Sequence, residues 1–311
     1  MPSFSSSSRK PGWLAILPRG DRLTLAHGLR QAGRRPEIAM LDMFEAGENE
    51  RAALARLKSA RSLKSYRCTT LMGEGEYQFT QADTPSVPRE ERREALRWSL
   101  RGFVDYPLET ACLDALDVPN GDQAGRAAHV LVVSAAESAV RARAAPFEEA
   151  GVPLAAIDVP ELAQRNVATL LEDENRGLAL LHLGENGSLL TLTWRGELVA
   201  ARRGELASRH LSADDPARLE RSRERVVVEM QRNLDNFDRQ YSYIPVSKVV
   251  LAIYPRVKGL AAELAENIYA PVQEMDLTGV VDFPNVPELR DPACQAMNLL
   301  AIGAALRTGE A

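Results

Sequence analysis

The stretch Gly177–Leu206, GLALLHLGENGSLLTLTWRGELVAARRGEL, holds the residues whose types and spacing come nearest to chemistry. An apolar strand runs into Gly184, the triplet Glu185-Asn186-Gly187 turns the chain, SLLTLTW returns, and Arg195-Gly196 turns it again. Glycines at such a bend let backbone N–H groups reach a phosphate with no side chain in the way. The chemistry would be nucleotide binding, and it would need Mg²⁺, which takes hard oxygen ligands, usually one or two carboxylates beside phosphate oxygens and water. The first strand ends on His182 instead of a carboxylate. An earlier turn, AILPRGD, offers Arg19 to a phosphate and Asp21 to a metal, although Asp in a tight turn is foremost a turn former.

Elsewhere the catalytic and metal sets are empty. The four histidines, His27, His129, His182 and His210, form no pair with metal-ligand spacing. No G-x-S-x-G, no P-loop and no G-x-G-x-x-G after a strand occurs. Cys68, Cys112 and Cys294 are scattered and odd in number, which fits buried thiols in a reducing compartment better than a disulfide framework. A net charge of −5 gives no electrostatic reason to expect a nucleic-acid partner. No apolar run approaches the roughly 20 residues of a membrane span. The serine-rich start, residues 1–11, reads as a disordered tail without a signal core, and the expectation is a cytoplasmic globular protein.

The elements that would position these turns alternate between strands and helices. GWLAILP, RLTLAHGL and PEIAMLDMF read as a meander, followed by a helix at 49–61. SYRCTTLM and EYQFTQAD read as a strand pair turning at Gly73 and Gly75. A helix then starts after Pro88, with Ala95, Leu96, Leu100, Phe103 and Val104 as its apolar stripe, and ends at Tyr106-Pro107. CLDALDV and AHVLVVSAA are strands joined by a polar loop at 120–126; helices at 137–150 and 160–171 flank the strand LAAIDV. The second half repeats this plan. Its long helix, 216–241, carries Val226, Met230, Leu234, Phe237 and Tyr241 on one face, as a helix lying on a sheet requires. SKVVLAIY, VKGLAAELAENI, APVQEMDL and a last helix within 291–307 complete the pattern. Two meander-plus-helices units, beginning at Gly12 and Gly177, imply an α/β, actin-like (ribonuclease H-like) fold with two lobes around a cleft.

The segment GEYQFTQADTPSVPREERREALRWSLRGFVDYPLETACLDALDVP narrows this reading. Its E-Y-Q strand, P-x-V-P entry, A-L-R-W helix and D-Y-P exit resemble the PilM family of type IV pilus assembly proteins, most closely its MshI branch from mannose-sensitive haemagglutinin (MSHA) pilus biogenesis. The resemblance continues through AGVPLAAIDVPELAQRN, EMQRNLDNFDRQY, VSKVVLAI and MNLLAIGAALR, nearly the whole chain after the tail. It implies an FtsA-like layout: first-lobe core 12–67, a small inserted subdomain 68–150, return to the first lobe 151–175, second lobe 176–290, and a C-terminal helix 291–311 packing back on the first lobe.

The resemblance also implies a role. A cytoplasmic protein, peripheral at the inner membrane, would hold the N-terminal tail of a PilN-like bitopic membrane protein in a groove between the first-lobe core and the small subdomain. It would thereby link the pilus assembly platform indirectly to its motor ATPase. The family's first hairpin is D-x-G, where this chain has Ile16 and Pro18; its second has an aspartate at His182, with Gly184 retained; its adenosine turn is replaced by Tyr254 and Pro255. Arg19, Gly20, Gly184 and Gly187 are thus candidates for a degenerate site. The expectation is a non-enzymatic adaptor with no required cofactor, ATP or ADP being the open question. A nucleotide-driven ATPase switch and a small-molecule kinase of the same superfamily are the alternatives. Arg97, Trp98, Arg101 and Tyr106 are the partner-contact candidates. Trp98 either caps a groove or flanks a small core, and the arginines at 89, 92, 93, 97 and 101 either meet lipid headgroups or form a solvated face balanced by Glu90, Glu91 and Glu94.

Overall fold

The computed structural model describes residues 9–47, 49–120, 128–185, 187–211 and 215–308. Most of the serine tail, Asn186 in the second turn, most of the loop expected at 120–126, and residues 309–311 lie outside them.

One sheet topology occurs twice. In the first sheet, β1 (Trp13–Arg19), β2 (Arg22–Leu29) and β3 (Glu37–Glu45) form an antiparallel meander, and β4 (Arg67–Leu71) and β8 (Leu154–Asp158) continue it in parallel beyond β1, in the order β3-β2-β1-β4-β8. In the second, β9 (Gly177–Leu183), β10 (Ser188–Trp194), β11 (Glu197–Gly204), β12 (Val246–Ile253) and β13 (Val272–Glu274) take the order β11-β10-β9-β12-β13. The outer face of the first sheet is covered by α1 (Glu50–Arg61) and α3 (Glu137–Ala150): Leu54, Leu57 and Phe147 close over Leu14, Ile16 and Leu25. On the second lobe, α5 (Pro216–Gln240) buries Val226, Met230, Leu234 and Phe237, with Tyr241 just beyond its end, and α6 (Leu260–Asn267) adds Leu260 and Leu264.

Two helices lie between the sheets, each packed against the sheet of the other half. α4 (Pro160–Ala168) leaves β8 of the first sheet but rests on β9, β10 and β11 of the second. α8 (Leu299–Ala305) leaves the second half but rests on β1, β2 and β4 of the first. They cross in backbone contact: a Cβ on Gly303 would lie 1.9 Å from the Ala163 carbonyl oxygen. Asn166 Nδ2 donates to the Gly303 carbonyl at 2.9 Å. The fully buried Gln164 uses its amide group to bind Leu180 O at 2.8 Å, Leu189 O at 3.0 Å and Thr191 Oγ1 at 3.0 Å, which pins α4 to the second sheet. The last helix, read as one, is two: α7 (Pro292–Met297) and α8 meet at Asn298, whose side chain donates back to Cys294 O at 2.9 Å.

A third, antiparallel sheet of order β5-β7-β6 consists of β5 (Gln78–Asp83), β6 (Cys112–Asp117) and β7 (His129–Ala135). On one face α2 (Arg92–Ser99) seats Leu96, together with Leu100, on Val130 and Val132. The opposite face joins the main body: Leu131 and Val118 enter the second lobe's core, and Gln81 accepts from Tyr241 Oη at 3.0 Å. Three expectations need correction. β4 and β5 are not a pair; the buried Thr69 and Thr70 sit in the middle of the first sheet, while β5 crosses to β7. The small unit is narrower than 68–150, because β4 belongs to the first sheet and α3 packs on α1. The helix after Pro88 stops at Ser99, Gly102 follows with φ +87°, and Phe103 is 70 % exposed rather than part of a stripe.

Among the described residues no helix is long and apolar enough to cross a membrane. The α4–α8 crossing yields a first prediction. Gly303→Ala forces a methyl group into the Ala163 backbone, so its urea midpoint falls by the equivalent of roughly 1–3 kcal/mol, whereas an unchanged midpoint contradicts so close a contact.

Candidate functional site

The two hairpins face each other across an interlobe cleft of about 420 Å³. Strand alternation decides which side chains enter it. On β1, Leu14 and Ile16 point to α1 and α3, whereas Ala15 and Leu17 face the helices between the lobes, and Leu17 lines the cleft. Ile16 therefore points away from the cleft and Leu17 into it, and neither side chain can ligate a metal. On β9, His182 lines the cleft. Burial, reinforced by the nearby Arg19 charge, pushes its imidazole down to about 4, so it is neutral at physiological pH.

Of the four residues expected at a degenerate phosphate site, Arg19, Gly184 and Gly187 line this cleft and Gly20 sits in the exposed turn beyond Arg19; each answers to a partner, a packing demand or a turn within the protein. Arg19 pairs with the Glu185 carboxylate across the gap, and the Glu185 carbonyl accepts from Arg209. Gly20 opens a two-residue hairpin turn with φ +59°, for which glycine is preferred. The Gly184 N–H donates to Gly187 O at 2.9 Å rather than pointing free at a ligand. A Cβ on Gly187 would lie 2.8 Å from the Gly204 carbonyl oxygen, so β11 requires a glycine there. Asp21 is not among the cleft-lining residues; its carbonyl accepts from Ala46 N at 2.8 Å and its side chain is in solvent.

The other two arginines of the cleft are also matched. Arg143 forks onto Glu76 at 2.5 and 3.2 Å. Arg203 donates to Glu161 at 2.8 Å and to the Tyr77 hydroxyl, which itself donates to Glu161 at 2.5 Å. Burial and the Glu161 charge push the Tyr77 phenol far up, keeping it an O–H donor. This junction ties α4, the approach to β5, and β11 around a carboxylate that is 1 % exposed. The sequence reading missed it; the only local signal was an acid in the first turn of the helix after Pro160. A Mg²⁺–nucleotide does not fit this set: neither strand end offers a carboxylate, and the acids lining the cleft are Glu74 and Glu185, the latter already paired. Among the described residues no cluster of three or more His, Cys, Asp or Glu side chains could hold a metal.

The partner candidates divide in two. Arg97 caps the turn after α2, donating to Leu108 O and to Ala111 O at 2.9 Å, and Tyr106 Oη meets Ser134 Oγ at 2.8 Å. Trp98 is 61 % exposed, with the Arg101 guanidinium 4.3 Å above its ring, next to exposed Phe103. Arg92 and Arg93 are balanced by Asp117 and Asp114 of β6 at 3.0 and 3.1 Å, rather than by the glutamates of their own helix. All of α2 lies on one face of the small sheet. The junction with the first lobe is on the other, where Val133, Val140 and Ile157 are half-buried around Met72, Tyr77 and Val159.

His182 gives the site a pH signature. Its folded-state value lies below the ordinary 6.5, so its contribution is complete above about pH 6.5 and is lost as pH falls towards 4, where the unfolded chain takes up the proton first. Relative to His182→Gln, the native chain loses on the order of 1–2 kcal/mol more stability between about pH 7 and about pH 4.5. Parallel stability–pH curves for the two proteins would contradict the neutral, half-buried histidine.

No family model and no curated protein matches the chain. Among solved structures, the "PilM-PilN type IV pilus biogenesis complex" is similar with a TM-score of 0.67 at 21 % identity, covering 95 % of this chain and 98 % of that one. The cytoplasmic domain of EpsL, an inner-membrane component of the Vibrio cholerae type II secretion system, aligns at TM-score 0.48 and 13 % identity over 96 % of this chain and 98 % of that one. A Bacteroides thetaiotaomicron protein with an actin-like ATPase fold and unknown function aligns at 0.47 and 13 %, with the same coverages. With the same five-stranded sheet repeated on either side of the cleft and a likeness to the PilM–PilN structure that runs the length of both chains, the fold is the actin-like one.

Proposed function

We propose that this chain is a non-enzymatic adaptor of type IV pilus assembly, acting in the cytoplasm at the inner membrane and gripping the N-terminal tail of a PilN-like bitopic protein. The observation that carries the reading is the likeness to a protein solved in complex with PilN, which extends over nearly all of both chains. The cleft supports the non-enzymatic part, since neither strand end that faces it, at Leu17 and at His182, offers a carboxylate for a metal-bound nucleotide. The MSHA-type system is the branch that the order of motifs from Glu76 to Pro119 favours.

The seat for the tail is the junction between the small sheet and the first lobe. There β8 has no strand partner beyond its pairing with β4 among the described residues. An extended peptide can add to such an edge through main-chain hydrogen bonds, with its side chains in the apolar lining. Val133, Val140 and Ile157 supply that lining. Trp98 lies on the far face of the small sheet and has no part in this grip.

A labelled N-terminal peptide of the PilN-like partner titrated into the intact chain tests the proposal. The expected result is saturable binding that Val140→Asp weakens at least tenfold and Trp98→Ala leaves unchanged, with both variants checked for native circular dichroism. No binding to the native chain, or equal binding by Val140→Asp, overturns it.

A further inference from the structure

Away from the cleft, the second lobe carries a basic depression of about 210 Å³ lined by Leu206, His210, Arg218, Arg221, Ser222 and Arg225. On α5 the spacing 218, 221, 222 and 225 sets these four residues on one face; Glu220 lies on the opposite side, and Glu224, three residues beyond Arg221, forms no ion pair with it. Arg225 is neutralised by Glu229 at 2.7 Å, with Glu205 at 3.7 Å. No carboxylate among the described residues pairs with Arg218 or Arg221. The nearby Asp215 carboxylate accepts from Ala217 N at 3.0 Å as the helix cap.

His210 adds a donor of fixed orientation. Its Nδ1 lies 3.0 Å from the Ala207 N–H, which donates to it, so in the neutral ring the proton sits on Nε2. That nitrogen has no hydrogen-bond partner given by the structure. The depression therefore gathers two unneutralised guanidiniums, one imidazole N–H and the Ser222 hydroxyl around one small volume, on a chain whose net charge is −5. Like charges at this spacing repel and cost stability unless something negative sits between them. Planar guanidiniums suit phosphate oxygens, which they engage bidentately.

We propose that this depression is a binding site for a phosphate-bearing group, a phosphomonoester dianion being the species whose charge matches the two free guanidiniums. Its volume suits a head group rather than a whole nucleotide. Two sources carry that chemistry, a soluble phosphomonoester and an anionic phospholipid head group. The site is independent of the peptide seat and of the interlobe cleft, so either reading can fail without the other.

The test uses the intact chain and two probes. Inorganic phosphate is titrated against chloride at equal ionic strength by calorimetry, and the chain is co-sedimented with phosphatidylcholine vesicles with and without phosphatidic acid. Arg218→Gln/Arg221→Gln is the variant; both residues are exposed, and a melting temperature in chloride no lower than the native chain's confirms its fold. Saturable phosphate binding that the variant weakens tenfold or more assigns a soluble ligand. Sedimentation that requires phosphatidic acid, without binding of free phosphate and lost to the same degree in the variant, assigns a lipid head group. The proposal is overturned if the native chain binds neither probe beyond the chloride and phosphatidylcholine controls, or if the variant binds as the native chain does.

Discussion

The fold depends on one close crossing, that of α4 over α8 between the two sheets. Each helix is carried by one half of the chain and packed against the sheet of the other, so neither lobe has a complete core alone. Gly303 permits backbone contact with Ala163, Asn166 ties α4 to α8 through the Gly303 carbonyl, and Gln164 ties α4 to the second sheet. Buried amides of this kind are costly when unpaired and specifying when paired, which makes the crossing a registration device as well as a contact.

The cleft inherits its shape from this crossing, and further ties hold it. Arg19 and Glu185 join its hairpins. Glu161, Tyr77 and Arg203 join the helix layer, the small sheet and the second lobe. Ile38 N donates to Asp282 O at 2.9 Å across the lobes at the β3 end. An actin-like molecule whose hairpins were spanned by metal and phosphate would use the ligand for this bridging. Here side chains of the two lobes meet directly, and the glycines that give the turns their nucleotide-site look answer to strand packing and turn geometry. A body tied at so many points suits a protein that presents a fixed surface.

Much of the architecture was legible because it is written locally. The tight turns around Gly20 and Arg195-Gly196 fix two meanders, and the stripe from Val226 to Tyr241 fixes the longest helix. The errors came where pairing is non-local. β4 was read as the partner of β5 because a glycine turn lies between them, whereas its real neighbours, β1 and β8, are distant in sequence. The motif comparison set Ile16 at the family's aspartate, yet Ile16 packs in the outer core and Leu17, one residue on, lines the cleft; one residue of register exchanges core for cleft. Arg97 stood among the partner-contact candidates and Tyr106 between contact and core; the fold gives them partners that are distant or only weakly signalled in the sequence, Ala111 O and Ser134 Oγ. The basic depression on α5 was written in the spacing of Arg218, Arg221 and Arg225, and it went unread because that helix was read for its apolar stripe alone.

The claim at the centre of this account is that the cleft keeps the form of a nucleotide site without its metal chemistry. A thermal melt of the intact chain with millimolar ATP or ADP, with and without Mg²⁺, addresses it most directly. A ligand held at about 100 times its dissociation constant stabilises a fold by roughly 2.7 kcal/mol, a readily visible rise in melting temperature. The account predicts no Mg²⁺-dependent rise with either nucleotide. A clear rise that requires Mg²⁺ would contradict it and make the cleft a working nucleotide switch.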